Sequence, residues 1–249
     1  MVEAEIAAGL EKIERDHSVR VLFSCESGSR AWGFASPDSD YDVRFIYAYP
    51  RERYLSIDEP KETVEFITSQ DLDYAGWDLR KALRLLRKSN PSLIEWIHSP
   101  IVYRDSDEFL AELRKLSDAH TDLARLDHHY ASMARTNARD YIYREEIPRK
   151  KYLYVLRPLF CRRWIRTLGT IPPVSFNELV AATVSSAELP AIERLLAEKK
   201  GEGEMATAPR DLVLHSIIEA ELELPEMEST REAKGAEDLD SFFRAWIGS

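Results

Sequence analysis

Apolar positions recur at helical spacing from the first turns of the chain. Ile6, Leu10 and Ile13 line one face of "VEAEIAAGLEKIERDH" and predict an amphipathic helix. "RVLFSC" (20–25) is a short apolar run of the kind that forms a buried strand. "DYDVRFIYAY" (40–49) alternates with a period of two, with Tyr41, Val43 and Phe45 on one face and Asp40, Asp42 and Arg44 on the other. Residues 62–76 predict further β-structure, a strand that bends near Ser69. "WDLRKALRLLRKS" (77–89) predicts a helix with Leu79, Ala82, Leu83 and Leu86 inward, Asp78 at its N-cap and Asn90-Pro91 as its stop. "SLIEWI" begins another helix that yields at "HSPIVY".

Strand signals cease near residue 106. Amphipathic helices are predicted over 106–117, 119–145, 151–168, 175–184, 187–199, 209–222 and 237–247. "GTIPPVS" and "KKGEGE" read as turns, and 224–236 as a loose connection. The expected organisation is an α/β front domain over 1–105 and a helical domain over 106–249.

The composition is that of a globular protein, 44% hydrophobic and 31% charged over 249 residues. No apolar run nears the ~18 residues of a membrane span. The opening helix has neither the basic start nor the apolar stretch of a secretory leader. Cys25 and Cys161 offer neither a disulfide framework nor metal-site spacing. A cytoplasmic location, with no membrane partner, is the expectation. A net charge of -10 argues against indiscriminate nucleic-acid binding, but the charge is uneven. Residues 144–166 hold Arg144, Arg149, Lys150, Lys151, Arg157, Arg162, Arg163 and Arg166 against two glutamates, whereas 219–240 carry nine carboxylates. The basic stretch reads either as a docking face for a polyanion or as solvated helix surface.

Candidate chemistry concentrates in "CESGSRAWGFASPDSDYDVRFIY" (25–47). Gly28 has no Cβ to keep backbone from phosphate oxygens, Ser29 adds a hydroxyl, and a following helix would present oriented N–H groups. Asp40 and Asp42 lie two apart on a strand, so both carboxylates leave the same face. Two hard oxygen ligands side by side suit Mg²⁺ held together with phosphate oxygens. Two such ions can clamp the attacking and leaving oxygens of an in-line displacement.

Gly-Ser, ten residues, then Asp-x-Asp resembles the signature of the DNA polymerase beta nucleotidyltransferase superfamily. The blocks "ESGSRAWGFASPDSDYDVRFIY", "GWDLRKALRLLRKSNPSLIEWIHSPIVY" and "KKYLYVLRPLFCRRWI" are similar to its bacterial and phage branch, the RNA repair pathway DNA polymerase beta family. The resemblance spans most of residues 20–170 and implies an α+β fold. That fold is a polymerase-beta-like nucleotidyltransferase domain, a small mixed sheet with helices, and the helical periodicity after residue 106 adds an all-helical C-terminal domain to it. It also implies a third carboxylate just upstream of the "GWDLRKAL" helix, which favours Asp73 over Asp71.

The resemblance implies transfer of a nucleoside monophosphate from an NTP to an acceptor hydroxyl. Asp40, Asp42 and Asp73 would be catalytic and metal-holding, with two Mg²⁺ ions and Mn²⁺ as a substitute. Gly28, Ser29, Arg30 and Lys81 are the nucleotide-binding candidates of the front half. Lys151 and Arg157, with Lys150 and Tyr154, form a helical cluster whose partner is either the nucleotide or an acceptor strand. The acceptor is an RNA 3′ end or a protein hydroxyl, and a non-catalytic RNA- or partner-binding module on the same fold is the third alternative.

Overall fold

The computed structural model describes residues 2–36, 39–68, 72–144, 146–201, 207–229 and 235–248. The chain divides into two compact units, one of Met1–Ala31, Asp40–Thr121 and Arg231–Ser249, the other of Trp32–Ser39 and Asp122–Thr230.

The first unit is built on a five-stranded mixed sheet of order β3-β4-β2-β1-β5. The chain enters through α1 (Val2–His17), then forms β1 (Arg20–Glu26), the single turn α2 (Gly28–Trp32), β2 (Tyr41–Ala48) and the short α3 (Arg51–Tyr54). β3 (Thr63–Ile67) and β4 (Leu72–Asp78) follow, then α4 (Leu79–Arg87), α5 (Pro91–Ile97), β5 (Val102–Asp105) and α6 (Phe109–His120). β2 and β4 run parallel and the other neighbours antiparallel.

Both faces of the sheet are covered, which is why β1 reads as an almost unbroken apolar run. Ile6, Leu10 and Ile13 of α1 pack with Val21, Val43, Phe45 and Tyr74 on one face. Leu22, Phe23, Cys25 and Ile46 pack on the other with α4, α5, α6 and α12 (Glu237–Ile247). An irregularity between Val21 and Phe23 breaks the alternation, so Leu22 and Phe23 share a cluster although they are consecutive. α12 completes this core: Phe242 and Trp246 lie 5.4 and 4.9 Å from Phe109, and Asp238 meets His120 at 2.8 Å.

Residues 62–76 are not one bent strand. β3 and β4 pair antiparallel, with Thr63 opposite Trp77 and Ile67 opposite Asp73, so the chain reverses between them. Asp78 caps α4 as its position suggests, accepting from the Arg80 N–H at 2.9 Å.

The second unit is mainly helical: α7 (Leu123–Tyr141), α8 (Arg149–Leu168), α9 (Phe176–Thr183), α10 (Leu189–Gly201) and α11 (Leu212–Glu223). A two-stranded ladder of β6 (Glu146–Pro148) and β7 (Thr207–Pro209) joins them. These strands are too short, and too rich in proline, to leave a periodic signal. The predicted helix over 119–145 breaks at Thr121, where Asp122 turns its side chain to cap α7, accepting from Ala124 and Arg125.

Three arginines of α8, Arg162, Arg163 and Arg166, are taken up by ion pairs and so leave the docking or solvated face that the basic stretch suggested. Arg162 and Asp127 are both fully buried and paired at 3.1 Å, and Arg166 meets the same carboxylate at 2.9 Å. Arg162 also donates to the carbonyls of Glu221, Leu224 and Pro225, and the Met227 N–H reaches Asp127 at 3.3 Å. Arg163 is shared between Glu188 and Glu221. The connection after α11, expected to be loose, is therefore strapped down through Met227; residues 230–234 of it lie outside the described residues.

Breaking a buried pair from one side leaves a charge uncompensated, at a cost of about 3–5 kcal/mol. Asp127→Asn should therefore lower chemical-denaturation stability by about 3 kcal/mol or more. Glu188 supplies a pH signature. Burial raises its carboxyl, but hydrogen bonds from Arg163 and Ser185 outweigh that and hold it at about 2. A carboxyl whose folded value lies below its unfolded value stabilises the fold above that unfolded value, ~4.3, and the stabilisation is lost as pH falls through the folded one. Glu188→Gln should flatten the stability profile between pH ~4.5 and ~2 when unfolding is followed against pH.

Candidate active site

The parallel pairing of β2 with β4 sets Asp42 directly opposite Asp73. Register partners on neighbouring strands project to the same face, and Asp40, two residues before Asp42, shares its alternation. Asp40 is exposed, just ahead of β2, and its carbonyl accepts from the Arg30 Nε at 3.1 Å. The sheet thus sets two of the three acids that sequence singled out side by side, with Asp40 close enough to act electrostatically on Asp42. Asp71, the alternative third acid, lies outside the described residues.

Gly28 starts α2 with a left-handed backbone, φ +58°. A Cβ built on it would lie 2.0 Å from Asp42 Oδ2. The glycine is thus demanded by its own protein's carboxylate, a closer constraint than the approach to phosphate that sequence suggested. Its neighbour's backbone is fixed too, the Ser27 N–H donating to the Asp42 carbonyl at 2.9 Å. Ser29 stands one residue on. Since α2 is a single turn of five residues, it lacks the length for the oriented dipole expected after Gly-Ser. Arg30 lies with its guanidinium 3.7 Å over the Tyr41 ring, at the head of the acid-bearing strand.

Two residues that sequence did not weigh organise the acids. Arg44, next along the acid face, donates through Nη2 to Asp42 Oδ1 at 2.6 Å and to Asp73 Oδ2 at 2.9 Å, and through Nη1 to the Asp73 carbonyl at 2.9 Å. Its place was legible from the alternation, but its bridging needs the strand register. Glu26, fully buried at the end of β1, accepts from the Asp42 N–H at 2.8 Å and from the Tyr103 hydroxyl. Burial pushes the Glu26 carboxyl up. Burial also raises Asp42; Arg44 opposes the shift, and Asp73 and Asp40 add to it.

Lys81 does not join this group. It sits on α4, beyond the far end of β4, donating to Thr63 Oγ1 at 2.7 Å with its ammonium 5.5 Å over Trp77. Asp78 lies five steps along the strand from Asp73, which at ~3.3 Å each puts α4 ~17 Å from the acid end. Lys151 and Arg157 belong to the helical unit. Lys151 holds its ammonium 3.8 Å over Tyr141, at a partly exposed position. Arg157 is buried, 4.6 Å over Trp32 and donating to the Val174 carbonyl at 3.2 Å, so it anchors packing rather than offering a surface cation.

Among the described residues no three His, Cys, Asp or Glu side chains converge as a preformed metal cage. The donor chemistry fits a divalent cation nonetheless: hard carboxylate oxygens in register, one of them raised in pKa in part by its acidic neighbours, with a cation already drawn between two of them.

A mixed α+β sheet with this acid face and a helical C-terminal part is the fold class of a polymerase-beta-like nucleotidyltransferase. A family model matches residues 2–245, and the chain belongs to the RNA repair pathway DNA polymerase beta family. It is 44% identical over 226 residues to the uncharacterized protein YcgL of Bacillus subtilis (strain 168), covering 90% of this chain and 86% of that protein. Among solved structures, a nucleotidyltransferase-like protein from Exiguobacterium sibiricum 255-15 aligns over 87% of this chain and 74% of its own. The identity there is 10% and the TM-score 0.34, a likeness that carries no argument here. Among the described residues no helix is long and apolar enough to cross a membrane.

Gly28→Ala tests the contact with Asp42. A left-handed alanine costs roughly 1–2 kcal/mol, and the added methyl must push the Asp42 carboxylate aside. A melting temperature and Mn²⁺ affinity both unchanged from wild type would show that the glycine is not needed there.

Proposed function

We propose that the chain is a metal-dependent nucleotidyltransferase that moves a nucleoside monophosphate from an NTP to an acceptor hydroxyl, releasing pyrophosphate. The observation that carries this is the in-register pair Asp42–Asp73 on adjacent parallel strands, with the Gly28 backbone pressed against Asp42. Asp40, Asp42 and Asp73 would hold divalent ions, Mg²⁺ with Mn²⁺ as a substitute. Such ions supply charge neutralisation for the triphosphate and lower the pKa of the attacking hydroxyl. Ser29, one residue after Gly28, and Arg30, whose Nε donates to the Asp40 carbonyl, would take phosphate oxygens, Ser29 through its hydroxyl and Arg30 through its other guanidinium N–H donors. Glu26 and Tyr103 hold the Asp42 backbone in place from behind.

An RNA 3′ hydroxyl is the acceptor that the family's name supports. A protein hydroxyl is the second reading, favoured by the burial of Arg157 and Arg162 and the pairing of Arg163 and Arg166 with carboxylates. That pairing removes much of the positive face a polynucleotide would need.

Incubation with each labelled NTP, Mg²⁺ and either total RNA or total protein should transfer label to one pool. Asp42→Asn and Asp73→Asn should each reduce transfer by more than the ~10–100-fold that loss of an outer-shell partner costs. Full transfer by both variants would refute the assignment of the acids, and label in protein alone would give the acceptor to the second reading.

A further inference from the structure

Arg44 bridges the two acids in an unusual way for a structural ion pair. A guanidinium usually meets a carboxylate as a fork, two N–H groups on two oxygens. Here the single nitrogen Nη2 serves both Asp42 Oδ1 and Asp73 Oδ2, while Nη1 hangs from the Asp73 carbonyl. Each carboxylate gives only one oxygen to it, and the second oxygen of Asp42 faces Gly28. One positive nitrogen between two carboxylates is the position a metal cation would claim. The three side chains are 16%, 29% and 38% exposed, so each of the paired groups keeps part of its surface in contact with water.

We propose that Arg44 is an internal counter-cation that competes with the divalent ion for Asp42 and Asp73, so that metal entry is an exchange. The inference rests on the metal-dependent reading of the acids. While Arg44 holds both carboxylates, a free ion must displace it and binds more weakly than the acids alone would allow. An ion arriving with a triphosphate brings anionic oxygens that the released guanidinium can accept as partners. Arg44 thereby discriminates against bare metal and couples metal binding to nucleotide binding.

The sign of one substitution decides between this role and a merely structural one. Free Mn²⁺ can be titrated against the full-length protein at low ionic strength and followed by electron paramagnetic resonance. Arg44→Met should bind Mn²⁺ about fivefold more tightly than wild type, the lower end of typical coupling between sites. Arg44→Lys, which keeps the charge but loses the planar fork, should fall between them. Added nonhydrolysable NTP should tighten Mn²⁺ binding by a larger factor in wild type than in Arg44→Met. Had Arg44 only organised the acids, its removal would weaken Mn²⁺ binding. Weaker or equal affinity in both Arg44 variants, with binding still lost in Asp42→Asn, would overturn the competition and leave the metal reading standing. Mn²⁺ binding indifferent to Asp42→Asn would overturn both.

Discussion

Like charges on one face of a sheet repel, and the site depends on how that repulsion is contained. The parallel register of β2 and β4 forces Asp42 and Asp73 into adjacency, and burial denies Asp42 much of water's screening. Four features answer this pressure within a few residues. Arg44 brings positive charge to both acids, Glu26 ties down the Asp42 backbone, Ser27 takes the Asp42 carbonyl, and Gly28 makes room for its carboxylate. None of these would be required of a strand whose polar face merely met solvent. The geometry is explained once the two carboxylates must stay together and remain able to receive a cation.

The helical unit solves a related problem differently. Asp127 is wholly enclosed, but two arginines and a backbone N–H satisfy it, and the carbonyls of Glu221, Leu224 and Pro225 absorb the remaining donors of Arg162. Burial raises the Asp127 carboxyl, and the Arg166 and Arg162 hydrogen bonds more than reverse it, so the group sits below the usual carboxylate range. In the first unit Asp42 is under-compensated and raised; here the acid is over-compensated and lowered. The same residue type thus carries a raised carboxyl in one unit and a permanent fastening in the other.

Much of this was legible in the residues. The alternation in 40–49 placed Asp40, Asp42 and Arg44 on one face, and the leucine spacing in 77–89 gave α4 with its Asp78 cap. What escaped depended on long-range pairing. The hairpin of β3 and β4 looked like one bent strand because alternation carries no direction. That same hairpin sends the chain after β4 to the far end of the sheet, which removes Lys81 from the acids. Arg157 and Arg162 looked like surface charge because a helical stripe does not show which of its arginines will meet a buried aspartate. Glu26, inside the "CESGS" motif, gave no signal, since its partners Asp42 and Tyr103 lie 16 and 77 residues away.

The placement of α12 bears on how the molecule is made. Phe242 and Trp246 close the aromatic cluster around Phe109, although the chain passes through all of the helical unit before reaching them. On a ribosome adding ~5–20 residues per second, the segment up to Thr121 waits roughly ten seconds for its last helix. During that interval Phe109, Leu113 and the outer face of α4 lack their final cover, whereas the partners of Asp127 all lie within the helical unit itself. The order of synthesis is therefore not the order of completion: the unit that holds the acids is begun first and sealed last.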